Sequence, residues 1–365
     1  MEYVQERVTT LHDFDGANPP APTGRATVVV PMTERDHASL AAERVLTELE
    51  RVDPERLVIA LRATDEQVGD VVSWVDGFDV AAEVLWCSAP RVESHLRERG
   101  LNGETGKGRD VWLALGVAAD SEYVVCHDAD AKTYTAAHVN KLLFPLANGH
   151  DFAKGYYARV ENGRLYGRLF RLFYAPLVRA LDDAHDAPVV DYFDAFRYGL
   201  AGEFAATSDL VRSLRVQRGW GLEVGTLGDA FQHAGFERSA QVDLGLHEHD
   251  HRSVGGPSGL GDMCREVGAA LFRSLEDAGV TPEYETLADD YRQQARRLVD
   301  QYAADAGFNG LEYDVAAERE QVETYAAAIE PPGEDRRLPA WRDTSLEADA
   351  IHALSAAAIE DATNH

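Results

Sequence analysis

The sequence predicts an α/β protein: a Rossmann-like, mostly parallel sheet flanked by helices, followed by a helical C-terminal extension. Short apolar runs alternate with amphipathic stretches of helical period over the first half of the chain, the rhythm of βαβ units. One such run, Tyr123-Val124-Val125-Cys126, breaks off into His127-Asp128-Ala129-Asp130, a buried strand that delivers two carboxylates into a loop. Beyond residue 261 the period is helical and strand signals cease.

Taken in order, residues 1–24 contain Asn18-Pro19-Pro20-Ala21-Pro22 and no apolar period, so they read as an N-terminal arm. A first strand is expected at 26–30, closed by Pro31, and a helix at 37–52. A second strand follows at 57–61, then a helix capped by Thr64 or Asp65 and running to Val75, then a third strand at 82–86. The glycine-rich loop 102–109 opens a helix at 110–119, ahead of the strand that ends at Cys126. Residues 151–157 read as another strand, Asn162-Gly163 as a tight turn, and the segment with Arg164, Arg168 and Arg171 as a helix. The alternating run 241–246 is a strand; 261–304 is helical, residues 330–334 interrupt, and 346–361 form a last, alanine-rich helix. Parallel sheets of this kind bind ligands at the carboxyl ends of their strands.

Composition limits the function. The net charge of −28 is dispersed along all 365 residues, which argues against a nucleic-acid surface. Only 4 lysines stand against 31 arginines and 63 acidic residues, the bias of a proteome adapted to high salt. All four, Lys107, Lys132, Lys141 and Lys154, fall around the paired carboxylates, so their retention points to a task. The three cysteines show no paired spacing, which predicts neither disulfides nor a thiolate zinc site. The apolar stretches are too short for a membrane span and the N-terminus has no basic leader, so a cytoplasmic protein is expected.

Residues i and i+2 of an extended segment point the same way, so Asp128 and Asp130 would converge on one cation if the strand geometry continues past Cys126. Gly106-Lys107-Gly108 places a lysine and freed backbone amides at a helix start, which favours phosphate. His247, His249 and His251 alternate after the last strand and could complete a metal site, or form a surface cluster. Glu203 and Glu223 each follow closely spaced glycines, which let backbone approach a ligand.

Gly106-Lys107-Gly108, Asp128-Ala129-Asp130, Lys154-Gly155-Tyr156-Tyr157, Gly163-Arg164, Ala201-Gly202-Glu203, Gly219-Trp220-Gly221-Leu222-Glu223 and the run from Gln241 to Arg252 occur in an order that resembles the glucosyl-3-phosphoglycerate synthases and their mannosyl-transferring relatives. These are retaining glycosyltransferases of the GT-A type. The resemblance implies a GT-A catalytic domain over 25–254, with a nucleotide-binding half (25–131) and an acceptor-binding half (132–254), then a helical extension over 255–365. It implies glucose transfer from UDP-glucose to 3-phosphoglycerate in a homodimer that needs Mg²⁺ or Mn²⁺; neither a nucleic-acid partner nor a membrane span is expected. GDP-mannose as donor, another acceptor, or a nucleotide-sugar binder without turnover are the alternatives.

By the resemblance, Pro31, Met32, Glu34, Lys107, Asp128 and Ala129 meet the nucleotide sugar, and Asp130 with His249 holds the metal. Glu223 and Glu203 lie by the sugar as catalytic residues, while Arg164, Tyr166, Lys154 and His251 receive the acceptor. The chain departs from the family pattern after the first strand, where Pro31-Met32-Thr33-Glu34-Arg35 replaces Pro-x-x-Asn-Glu, and at the end of the second, where Ala60-Leu61-Arg62-Ala63 stands in place of an Asp-Ser-rich loop. Tyr166 and His251 stand where the family has a small hydroxyl residue and an amide.

Overall fold

The computed structural model describes residues 4–250 and 256–364, without the side chains of 256–260. Its strands are β1 (Thr9–Leu11), β2 (Ala26–Thr33), β3 (Arg56–Arg62), β4 (Ala82–Trp86), β5 (Tyr123–Cys126), β6 (Phe152–Ala158), β7 (Val160–Glu161), β8 (Arg164–Leu165), β9 (Phe204–Thr207) and β10 (Ser239–Leu246). Eight of them form one sheet in the order β1-β10-β6-β9-β5-β2-β3-β4, and β7 and β8 make a separate hairpin. All neighbours in the large sheet are parallel except β9, which runs against both β5 and β6. Val28, Val29 and Val30 of β2 and Val58 and Ile59 of β3 are fully buried, as expected of parallel strands covered on both faces.

The helices of the first half are α1 (Leu40–Val52), α2 (Val68–Val75), α3 (Pro90–Glu98), α4 (Lys107–Ala118) and α5 (Ala137–Ala147). Ser39 caps α1, its hydroxyl accepting from the Ala42 amide, so that helix starts later than the expected residue 37. The second half carries α6 (Ala175–Ala184), α7 (Pro188–Asp194), α8 (Ser208–Val211), α9 (Leu222–His233), α10 (Gly256–Asp277), α11 (Tyr284–Asn309), α12 (Val315–Ala326) and α13 (Ala348–Thr363). The helical stretch expected at 261–304 is therefore two helices, parted where Gly279 takes a φ of +78°.

Three further expectations are corrected, and one strand appears that the sequence did not suggest. The supposed arm contributes β1, which adds to the open edge of β10 and is fixed by Lys141, whose ammonium reaches Asp13 at 2.6 Å and the Asp243 carbonyl at 3.1 Å. Pro31 does not close β2: β5 pairs only with residues 26–29, so from Val30 onward one side of β2 has no ladder to lose. Arg164 lies in β8 and not in a helix; Asn162 and Gly163, with φ of +50° and +71°, form the predicted tight turn between β7 and β8. β9 was not foreseen, because Phe-Ala-Ala-Thr is too short to show a period.

The C-terminal segment packs on the core. Ser355 of α13 accepts the Trp86 amide at 2.8 Å and so covers the edge strand β4. Trp341 lies 5.3 Å from Trp112, and the two indoles donate to the Trp112 and Pro339 carbonyls. Gly116 makes room: a Cβ there would stand 1.7 Å from the Trp341 ring.

Candidate active site

The functional side chains gather at the carboxyl edge of the sheet. Asp128 and Asp130 follow β5, Arg159 follows β6, and His247 and His249 follow β10. Glu203 immediately precedes β9, and because β9 is reversed its start lies at that same edge. The chain turns at Ala129 and Asp130, so the extended geometry that would aim both carboxylates at one point does not persist. Asp128 takes the Lys107 ammonium at 2.6 Å, whereas Asp130 faces the His249 Nδ1 at 3.2 Å.

Backbone pairing fixes this arrangement. Ala131 bridges His249, the Asp250 amide donates to the Asp130 carbonyl at 2.8 Å, and the Lys132 amide to the Glu248 carbonyl at 2.8 Å. The histidine segment is thus stitched along the acidic loop. His247 and His249 share a face, their ring centroids 4.4 Å apart. His251 lies outside the described residues.

Lys107 opens α4 and also lies 3.4 Å from Glu223, which opens α9. Burial works against its charge, but Asp128 and Glu223 outweigh that and hold its pKa well above the usual lysine value. The glycines flanking it serve packing: a Cβ on Gly108 would stand 1.8 Å from the Gln217 carbonyl oxygen, and one on Gly106 would stand 2.7 Å from that of Arg218. They let the start of α4 lie against the loop that leads to Glu223.

Behind this row is a buried layer. Glu203 is 1 % exposed, neither of its oxygens has a hydrogen-bond partner among the described residues, and His247 Nε2 lies 3.8 Å from one of them. Burial, and then Asp128, push its carboxyl up to about 7. His247 stacks on Tyr157 at 4.1 Å, and burial drives its pKa down to about 2, so it is neutral. Lys154 donates to the Ala201 carbonyl at 2.7 Å, and burial lowers it to about 8. Gly202 sits against Asp128: a Cβ there would be 2.5 Å from Oδ2.

The remaining expected residues fall on two sides. Pro31 and Met32 end β2 with the Met32 side chain buried in the core, and Glu34 accepts the Thr64 amide at 2.7 Å, tying the loops after β2 and β3 together. Ala129 is buried beside Asp128. Arg164 is paired in solvent with Glu312, its Nε 2.8 Å away, and Arg168 and Arg171 both bind Glu318, so all three arginines have acidic partners. Tyr166 donates its amide to the Arg159 carbonyl at 2.9 Å. Arg159, two residues beyond the Lys154-Gly155-Tyr156-Tyr157 motif, went unremarked in the sequence; its position at a strand's carboxyl end is the signal that could have marked it.

Asp130 and His249 offer one carboxylate and one imidazole. No group of three metal-binding side chains exists among the described residues. The donor set fits Mg²⁺ or Mn²⁺ if a ligand's oxygens complete the shell. The three cysteines are free and buried, and no helix among the described residues is long and apolar enough to cross a membrane.

No family model matches the chain. It is 33% identical to the glucosyl-3-phosphoglycerate synthase of Methanococcoides burtonii over 99% of this chain and 98% of the relative. Among solved structures it is similar to glucosyl-3-phosphoglycerate synthase from Mycobacterium tuberculosis in complex with Mn²⁺, UDP-glucose and phosphoglyceric acid, with a TM-score of 0.56 and 26% identity over 76% of this chain and 89% of that one. The same enzyme with Mg²⁺ and UDP aligns with a TM-score of 0.55 and 26% identity, covering 76% and 88%.

Proposed function

The chain belongs to the glucosyl-3-phosphoglycerate synthases, and from that premise we infer that it transfers glucose from UDP-glucose to 3-phosphoglycerate with the aid of a divalent cation. The observation that carries this reading is the double pairing at the carboxyl edge, Lys107 on Asp128 and Asp130 facing His249. Mg²⁺ or Mn²⁺ held by Asp130 and His249 would act as a Lewis acid on the diphosphate, whose negative charge grows as it leaves.

Lys107 supplies a fixed positive charge on the same side. Because its neighbours hold it protonated far above neutral pH, that charge is present throughout the working range. Asp128 holds Lys107 and keeps lone pairs for donor hydroxyls. Glu223, also on Lys107, is placed to accept from the sugar. Pro31, Met32, Glu34 and Ala129 border the nucleotide side, and Arg164, Tyr166 and His251 are assigned to the acceptor.

The burial of Glu203 behind Asp128 and the engagement of Glu223 by Lys107 favour retention without a protein nucleophile. The acceptor hydroxyl then attacks from the face the diphosphate leaves, and its proton passes to the departing phosphate oxygen. Lys154 and Glu203 act as buried supports in this reading. A cytoplasmic homodimer adapted to high salt completes the proposal, supported by the dispersed charge of −28 and by Phe308, 90 % exposed on α11; sedimentation in molar KCl tests the dimer.

The deciding experiment follows nucleoside diphosphate release in molar KCl from UDP-glucose and from GDP-mannose, with and without 3-phosphoglycerate. UDP release that requires both 3-phosphoglycerate and Mg²⁺ or Mn²⁺ is expected. Preference for GDP-mannose, or release indifferent to 3-phosphoglycerate, would refute the donor or the acceptor.

A further inference from the structure

We propose that Arg218, braced by the C-terminal segment 336–341, is a positioning residue for Lys107; this rests on the reading that Lys107 meets the departing diphosphate. The loop before Lys107 has little support of its own. From Asn102 to Thr105 it makes no backbone–backbone hydrogen bond among the described residues, yet it ends at the lysine that opens α4.

Arg218 supplies what the loop lacks. Its Nη2 donates to the Leu101 and Asn102 carbonyls, at 3.3 Å each, while its Nε donates to the Arg336 carbonyl at 3.1 Å. One planar fork thereby joins the loop to the C-terminal segment, a geometry that a lysine ammonium does not offer. The Nη1 is buried with no hydrogen-bond partner among the described residues, so the side chain is drawn into the loop and not out to solvent. Gly103 leaves the room: a Cβ there would stand 3.1 Å from both Cζ and Nη1.

The segment that receives Arg218 is itself anchored beside the site. Leu338 and Val216 exchange backbone hydrogen bonds of 2.9 and 3.2 Å, and Val216 lies just ahead of Arg218 on the way to Glu223. The Trp112 indole donates to the Pro339 carbonyl at 2.8 Å and the Trp341 indole to the Trp112 carbonyl at 2.7 Å, which fixes the same segment to α4, the helix that Lys107 opens. The C-terminal extension thus holds the helix behind Lys107, and through Arg218 it holds the loop ahead of it. A loop without these bonds samples many conformers, each aiming the lysine differently; fixing it beforehand removes that ordering cost from the reaction.

The test is a double-mutant cycle on kcat/KM for UDP-glucose, read by UDP release with Mn²⁺ at saturating 3-phosphoglycerate, in the wild type, Arg218→Ala, Lys107→Ala and the double variant. Arg218→Ala should lose about 10- to 100-fold, the range for misplacing a positioning group by about 1 Å. Lys107→Ala should lose at least as much. With Lys107 already replaced, Arg218→Ala should cost less than about twofold more, because its effect passes through the lysine. The KM for 3-phosphoglycerate should stay within about twofold. Arg218→Lys, which can keep one of the three bonds, should fall between wild type and Arg218→Ala, and it carries the same cycle if Arg218→Ala does not fold. Arg336→Ala removes only an exposed side chain, 3.7 Å from Glu104, and leaves the carbonyl that Arg218 uses, so it should retain activity. Wild-type kcat/KM in Arg218→Ala, or losses that multiply in the double variant, would overturn the proposal while the role of Lys107 stands. Wild-type kcat/KM in Lys107→Ala would overturn both.

Discussion

Gly202→Ala puts the geometry of Asp128 to a direct test. A Cβ at residue 202 would stand 2.5 Å from Asp128 Oδ2 and 3.0 Å from its Cγ, where ordinary contact begins near 3.4 Å. Gly202 does not have a positive φ, so alanine adds no backbone strain there. To reach ordinary contact, Oδ2 must yield by about 0.9 Å, and that displaces the same carboxylate's Oδ1, which holds Lys107 at 2.6 Å. Misplacing a positioning group by about 1 Å costs on the order of 10²-fold in rate. We expect kcat/KM for UDP-glucose to fall about 10²-fold, measured by UDP release at saturating 3-phosphoglycerate, with little change in melting temperature. Gly307→Ala is the control, since Gly307 is exposed on α11 with nothing within 4 Å of its Cβ among the described residues, and it should leave activity unchanged. Wild-type kcat/KM in Gly202→Ala would refute the claim that the Asp128–Lys107 contact organises the donor side.

Three further outcomes follow from the same geometry. Asp130→Ala or His249→Ala should lower kcat/KM by about 10²- to 10³-fold, the range for losing one fixed electrostatic contact; manganese electron paramagnetic resonance with UDP should show the ion released. Retention of full turnover in EDTA would contradict the metal assignment. Glu203→Gln should stabilise the protein at high pH: the folded carboxyl is raised to about 7 from 4.5, so its ionisation is penalised in the folded state only. The variant's advantage is absent below about pH 4.5, grows as pH rises, and levels off above about 7 at up to roughly 3 kcal/mol; a difference in melting temperature that does not change with pH would exclude this. Gly116→Ala drives a methyl into the Trp341 ring and should cost about 1–3 kcal/mol of stability, seen as a lower melting temperature, while kcat well below melting stays within twofold.

The sequence by itself determined what depends on local pattern. Buried parallel strands need continuous apolar runs, so β2 to β5 could be read directly, and with them the strand end that carries Asp128 and Asp130. Motif order added Lys107, Glu223 and His249, and the structure brings Lys107 to Glu223 and His249 to Asp130. Other features depend on groups distant in the chain, and only the tertiary structure decided them. The two carboxylates part because residues 129–130 turn and the histidine segment pairs with the loop after them. The arm becomes β1 because β10 has an unpaired edge, and Arg164 is bound by Glu312 from a helix linker 148 residues away. Periodicity is a property of neighbours in sequence; burial, register and charge compensation are properties of neighbours in space, and they are set only when the whole chain has packed.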